Sequence, residues 1–295
     1  MKTFQSALAL VALLVEVPSA FAATSALGAG GVAASGTSPI TASGASVSTG
    51  SSPWYGTGFN SLYVNYFANF HGSPVNDLGN FKTPTTDGVT KKAQPMYFDS
   101  TLTTAYRINK DIGVGPEINF NYEPVLGKGF TLKDSGAKIY NKHQFTSGNF
   151  NVASNLILQA PTDYSRQSGI DFGVKTTPTI RYDIAATRWT IGSYTEAKAY
   201  VGATKGKTFK FWAGPYANYQ VSQAVALTAT YEMEAHHFAG KPSFDFTNVG
   251  TDLQPGVRWN ITRDIMLNPY VNLYTGNKIT VSNSYVGAII SATVL

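Results

Sequence analysis

In the stretch YEMEAHHF, Glu232, Glu234 and His236 fall two residues apart, with His237 beside them. On a strand, residues of one parity project from one face, so two carboxylates and an imidazole would stand together there. They could bind a metal or transfer protons. The spacing matches neither a zinc nor a calcium ligand motif, and a polar wall needs no special role for these residues. Ser193 is the other candidate, as a nucleophile. It needs a base within hydrogen-bond reach, and none of the four histidines, His71, His143, His236 and His237, is placed beside it. No phosphate-binding glycine loop is present. The reading is therefore no catalytic residue, no metal and no cofactor.

The same parity rule organises the rest of the charge. Arg107, Glu117, Lys175, Arg181, Glu196, Lys198, Lys210, Glu232, Glu234, Asp252 and Arg258 all lie opposite a face without charge. That apolar face carries, for example, Phe209, Phe211, Ala213, Pro215, Ala217, Tyr219 and Val221 on one segment and Val225, Leu227, Ala229, Tyr231 and Met233 on the next. A lysine or arginine facing hydrocarbon costs about 2–4 kcal/mol at the membrane midplane. A lipid solvent would enforce such a charge-free face, and a lumen would tolerate the other.

Composition points the same way. Only 13% of the residues are charged, against about 25% in typical soluble domains. The chain contains no cysteine, so disulfides contribute nothing. Lys2, the run ALALVALLV and the small-x-small AFA at 20–22 predict a signal peptide over 1–22. Residues 23–53, rich in Gly, Ala, Ser and Thr, read as a flexible segment, with folding back into a cavity as the alternative. No later run of about eighteen apolar residues exists, so only strands could cross a bilayer.

From residue 54 to the C-terminus, alternation recurs in a divergent hairpin repeat: LTTAYRINKDI, PTIRYDIAATRW, PYANYQVSQAV and PGVRWNITRDI. Short breaks such as NKD join antiparallel strands directly, while the connections between hairpins are more variable and often basic. The spacing predicts strands near 58–70, 96–109, 112–123, 131–145, 149–160, 170–184, 188–202, 207–222, 225–237, 247–261, 264–275 and 284–295. The up-down order requires 131–145 although its pattern is poor. Pro116, Pro178, Pro215, Pro255 and Pro269 lie inside these strands and each removes a ladder donor; a repeated bend or bulge is expected there.

Tyr106, Tyr182, Tyr219 and Trp259 stand beside the short turns, and Phe209, Phe211 and others stand toward the far strand ends on the same face. These resemble two interfacial girdles. Phe209 to Tyr219 spans roughly 33 Å of strand at about 3.3 Å per residue, or roughly 25 Å vertically after a tilt of about 40°.

With these features the chain resembles bacterial outer-membrane β-barrel proteins of the porin-like class. The resemblance is architectural and covers residues 54–295. It implies an all-β, transmembrane, antiparallel up-and-down barrel of about twelve strands in the bacterial outer membrane. It further implies a channel for passive passage of small hydrophilic solutes or ions, without enzymatic activity. A structural or adhesion barrel with a closed interior is the alternative, and a barrel-embedded hydrolase is a third reading. Chains of this class often end in an aromatic residue, whereas this one ends in Leu295. The eleven charged residues above are then pore-lining, and Tyr106, Tyr182, Tyr219, Trp259, Phe209 and Phe211 sit at the membrane interface. The expected partners are outer-membrane lipid and the small solutes. The net charge of +5 falls mostly on loop lysines such as Lys82, Lys91, Lys92, Lys128, Lys205, Lys207, Lys241 and Lys278, which could meet lipopolysaccharide phosphates. Nucleic acid is not implied, because no basic patch is interleaved with exposed aromatics.

Overall fold

The computed structural model describes residues 62–84, 94–125, 129–275 and 283–293. The signal-peptide and 23–53 segments and Leu295 fall outside them, as do Lys91, Lys92, Lys128 and Lys278.

In chain order the strands are β1 (Leu62–Pro74), β2 (Lys82–Thr83), β3 (Gln94–Pro95), β4 (Tyr97–Arg107), β5 (Ile112–Glu123), β6 (Gly129–Leu132), β7 (Ser135–Ser147) and β8 (Phe150–Ala160). A one-turn helix, α1 (Asp163–Arg166), follows, then β9 (Phe172–Thr176), β10 (Thr179–Asp183), β11 (Trp189–Val201) and β12 (Lys207–Gln220). The chain ends with β13 (Val225–Phe238), β14 (Phe246–Asn260), β15 (Ile265–Tyr274) and β16 (Tyr285–Thr293).

Apart from the small β2–β3 hairpin, the strands form one antiparallel sheet, in which β6 and β7 run in line, as do β9 and β10. β1 pairs with β16, and β9 and β10 both lie between β8 and β11, so the sheet closes. The protein is a closed antiparallel barrel of twelve strands. Closure removes every edge that would otherwise leave backbone donors and acceptors unpaired.

The required but poorly patterned strand at 131–145 is present as β6 and β7. It reads poorly because the ladder breaks at Lys133 and Asp134, and because the register with β8 shifts between Asn141 and Phe145. Either irregularity resets the two-residue phase. The first barrel strand extends to Pro74, so His71 lies in it rather than in the following loop.

The expected proline bulges are not found. Pairing across Pro116, Pro215, Pro255 and Pro269 skips residue pairs but resumes in unchanged register. The missing N–H removes a bond on one side of the strand, whereas a bulge would need an inserted residue. Pro178 goes further and separates β9 from β10. The register shifts lie elsewhere, at His71/Pro74, Asn141/Phe145, Lys207/Phe209 and Glu234/Ala235.

The two faces separate as alternation requires. Tyr106, Tyr182, Trp259, Phe211, Leu227, Val257, Ile118 and Leu158 are exposed on the outside, with Phe209 and Tyr219 half-buried on the same face. The polar set turns inward. Large inward rings sit over glycines of the neighbouring strand, because only a missing Cβ leaves room for a ring against the wall. Tyr140 covers Gly113, Tyr216 covers Gly192 and Tyr270 covers Gly287. Gly287→Val would drive methyls into the Tyr270 ring, an overpacking cost of about 1–3 kcal/mol. The fraction of heat-modifiable folded barrel on gels should fall, and adding Tyr270→Ala should restore part of it.

Candidate functional site

The interior of the barrel holds the chemistry, and strand pairing sets which groups meet. Glu117 of β5 is 1% exposed and lies between Lys138 of β7 and Lys175 of β9, with Nζ–O distances of 3.0 Å to each. Lys138 and Lys175 are themselves buried. The carboxylate uses one oxygen for each lysine, so three charges are removed from water together, with one positive charge in excess.

A second network crosses β11, β12 and β13. Lys210 bridges Glu196 at 3.3 Å and Glu234 at 3.4 Å, and Glu234 also contacts the His236 ring. The register explains the grouping: Trp212 is opposite both Glu196 and Glu234, and Lys210 is opposite both Lys198 and His236. The YEMEAHHF cluster is thus part of an ion-pair network. Ser193 Oγ donates to the Tyr194 carbonyl at 3.3 Å, with no histidine among its hydrogen-bond partners.

Lys198 reaches Asp134 at 3.4 Å. The same Asp134 carboxylate accepts from the Thr162 backbone N–H (2.8 Å), the Thr162 hydroxyl (3.0 Å) and the Ser165 hydroxyl (2.8 Å). The break between β6 and β7 therefore pins the α1 loop to the wall. Nearer the short turns, Arg181 donates to Asp183 through Nε and Nη2 at 3.0 and 2.9 Å, and Thr190 adds a 2.6 Å bond to the same oxygen. Arg258 Nη2 donates to Gln220 at 3.1 Å, and Arg107 lies over the Tyr63 ring.

The eleven charged residues singled out in the sequence lie at strand positions opposite the exposed apolar face. Glu232 is opposite Asp252 in the β13–β14 register, like charge against like. The sequence reading missed Lys138 and Asp134, since the disrupted phase of β6 and β7 hid which residues turn inward. Parity does turn Tyr194, Trp212 and Tyr216 inward, but much of the remaining apolar and amide wall carries no such signal. Phe67, Tyr194, Tyr216, Tyr270, Tyr285 and Ile289 pack into one buried cluster, with Trp212 and Met266 against it. Tyr194 and Tyr216 stack with ring centroids 4.5 Å apart. Asn65, Asn155, Asn218, Asn268 and Asn272 are buried around the same interior. An inward strand position occupied by Asn gives no charge signal, which is why the charge pattern passes over it.

No known family profile matches the sequence, and no curated protein matches it. Solved structures do. The COG4313 outer membrane channel from Pseudomonas putida F1 superposes with a TM-score of 0.51 at 11% identity, covering 79% of this chain and 96% of that one. The protein has the fold of an outer-membrane β-barrel channel. The NanC porin superposes with a TM-score of 0.44 at 8% identity, covering 79% of this chain and 100% of that one. OmpF of Salmonella typhi, solved in complex with daunomycin, gives 0.37 at 8% identity, covering 79% and 97%.

In a barrel of this fold the charge-free outer face and the ion-paired inner face describe two different solvents. A wall of opposite charges in contact creates short-range dipoles rather than a one-signed field. A strongly selective channel would instead line its lumen with one sign.

Proposed function

We propose that this chain is an outer-membrane channel that passively passes small hydrophilic solutes or ions. The carrying observation is the segregation of charge: a closed twelve-strand barrel keeps its ionised residues inside and presents hydrophobic side chains outside. The N-terminal sequence supports export through a signal peptide. The eleven inward charged residues are proposed as the pore lining, and Tyr106, Tyr182, Tyr219, Trp259, Phe209 and Phe211 as the interfacial aromatics. Outer-membrane lipid surrounds the barrel in this reading. Lys205, Lys207 and Lys241, at the long-loop rim, are proposed to meet lipopolysaccharide phosphates.

The lumen is narrow on this account. Twelve strands enclose more space than eight, whose interior side chains nearly fill, and far less than sixteen. Tyr194, Tyr216 and Trp212 take up part of that space, as do the two lysine–glutamate networks. Liposome swelling with graded sugars should show entry of small sugars and exclusion of solutes much larger than a disaccharide. Free entry of large oligosaccharides would contradict the narrow lumen.

Ion preference should be weak and adjustable. Glu232→Gln with Glu234→Gln removes two negative charges from one wall and leaves Lys210 opposed by Glu196 alone. The reversal potential in a salt gradient should move toward anion preference. The shift should be larger at low salt, because screening limits the reach of charge to about 10 Å at 0.1 M.

A second reading, a structural barrel with a closed interior, is favoured by the cluster of Phe67, Tyr194, Tyr216, Tyr270, Tyr285 and Ile289. Absence of swelling even for the smallest sugar, with correctly folded protein in the liposomes, would select it.

A further inference from the structure

A small cavity opens inside the barrel wall where β11 to β16 face one another. Its polar lining comes from Asn218, Thr228, Thr230, Glu232, Gln254 and Asn268, and Tyr194, Tyr270 and Ile289 complete it. At about 20 Å³ it has room for one water-sized occupant.

The polar groups here are not all used by the protein. Asn218 is 6% exposed and its side chain makes no hydrogen bond among the described residues. A buried amide without a partner costs free energy unless something in the cavity satisfies it. Gln254 spends its amide N–H on Asn272 Oδ1 at 2.8 Å, which leaves its carbonyl oxygen uncommitted. Glu232 makes no ion pair among the described residues, because Lys210 is engaged by Glu196 and Glu234. The Trp212 side chain gives Glu232 a hydrogen bond but no positive charge. Around one water-sized space there are thus a carboxylate, amide oxygens and hydroxyls, with no thiolate or imidazole. Oxygen-only ligands suit hard cations. One carboxylate lining the space matches a single positive charge.

We infer that this cavity is a binding site for one alkali-metal cation, held by Glu232 and Asn218 with oxygens from Thr228, Thr230, Gln254 and Asn268. This goes beyond the channel reading, since the ion occupies the site whether or not the barrel conducts. It places a positive charge beside Glu232, which strand register sets opposite Asp252.

The full-length barrel, purified in detergent, provides the test. Apparent melting temperatures are compared in KCl, in NaCl and in N-methylglucamine chloride at equal ionic strength, so that only the size of the cation changes. Wild type should melt about 2–4 °C higher with an alkali cation, the shift expected for stabilisation of a chain of this size by a bound ligand. Glu232→Gln should abolish the difference. Asn218→Leu, which fills the amide volume without oxygen, should do the same and serves if Glu232→Gln does not fold. Glu234→Gln, outside the cavity lining, should keep it. Crystals grown with rubidium chloride should show an anomalous peak in the cavity in wild type and none in Glu232→Gln. Identical melting in all three salts would overturn the proposal. So would a cavity that holds only water in the rubidium crystals, or a salt difference that survives in both cavity variants.

Discussion

Glu117→Gln should destabilise the folded barrel by about 3–5 kcal/mol, the range found when one partner of a buried ion pair is removed. The substitution keeps shape and takes away the one negative charge that two lysines share, each 3.0 Å from the carboxylate. Lys138 and Lys175 would then be two buried positive charges facing each other across a neutral amide. Neither can move to solvent without leaving its strand face. The measurement is denaturant-induced unfolding in detergent or lipid vesicles, followed by tryptophan fluorescence. Replacing all three residues with methionine should recover much of the loss, because an apolar cluster of similar volume carries no desolvation cost. If Glu117→Gln and wild type unfold at the same denaturant concentration, the three charges are not held as one unit.

The second large effect concerns the outer face. Ala213→Arg places a guanidinium on the lipid side near the middle of β12, where the cost is about 2–4 kcal/mol. Val257→Arg stands closer to the short-turn end of β14, where the cost falls to about 0–1 kcal/mol. The structure places both side chains on the outside, with Val257 39% exposed. The amount of folded barrel in outer-membrane fractions should drop steeply for Ala213→Arg and little for Val257→Arg. Equal assembly of the two would remove lipid as the solvent of this face.

The charge-free face of β12, β13 and β14 was legible in the sequence because lipid and lumen impose opposite rules on alternate residues, and a single misplaced charge would have broken the pattern. The number of strands followed from the up-down order of short turns, even where 131–145 carried little signal. What was hidden has specific causes. Asp134 leaves the ladder to bind Thr162, Ser165 and Lys198, three partners distant in sequence. Once the ladder is interrupted, the parity that would have marked Lys138 as inward no longer follows from β6.

The prolines illustrate a different limit. Five of them in strands suggested a repeated bend or bulge, but a proline can lose one hydrogen bond without changing register. Only the paired partners on either side reveal which happened. The interior tyrosines were legible one at a time. Their packing around Gly113, Gly192 and Gly287 was not, because each glycine lies on a neighbouring strand and no local pattern links it to its ring. The cavity beside Glu232 depends on β11 to β16 together, so neither its size nor the unsatisfied Asn218 could be read from spacing.

Planar-bilayer recording tests most directly whether the barrel conducts through a narrow lumen of paired charges. Purified wild-type protein should give discrete steps of small conductance with weak ion preference. If residues 24–53 obstruct the lumen, their deletion should raise the conductance without altering that preference. Folded protein that inserts yet passes no current, both intact and after deletion of residues 24–53, would contradict the channel account and leave the closed structural barrel in its place.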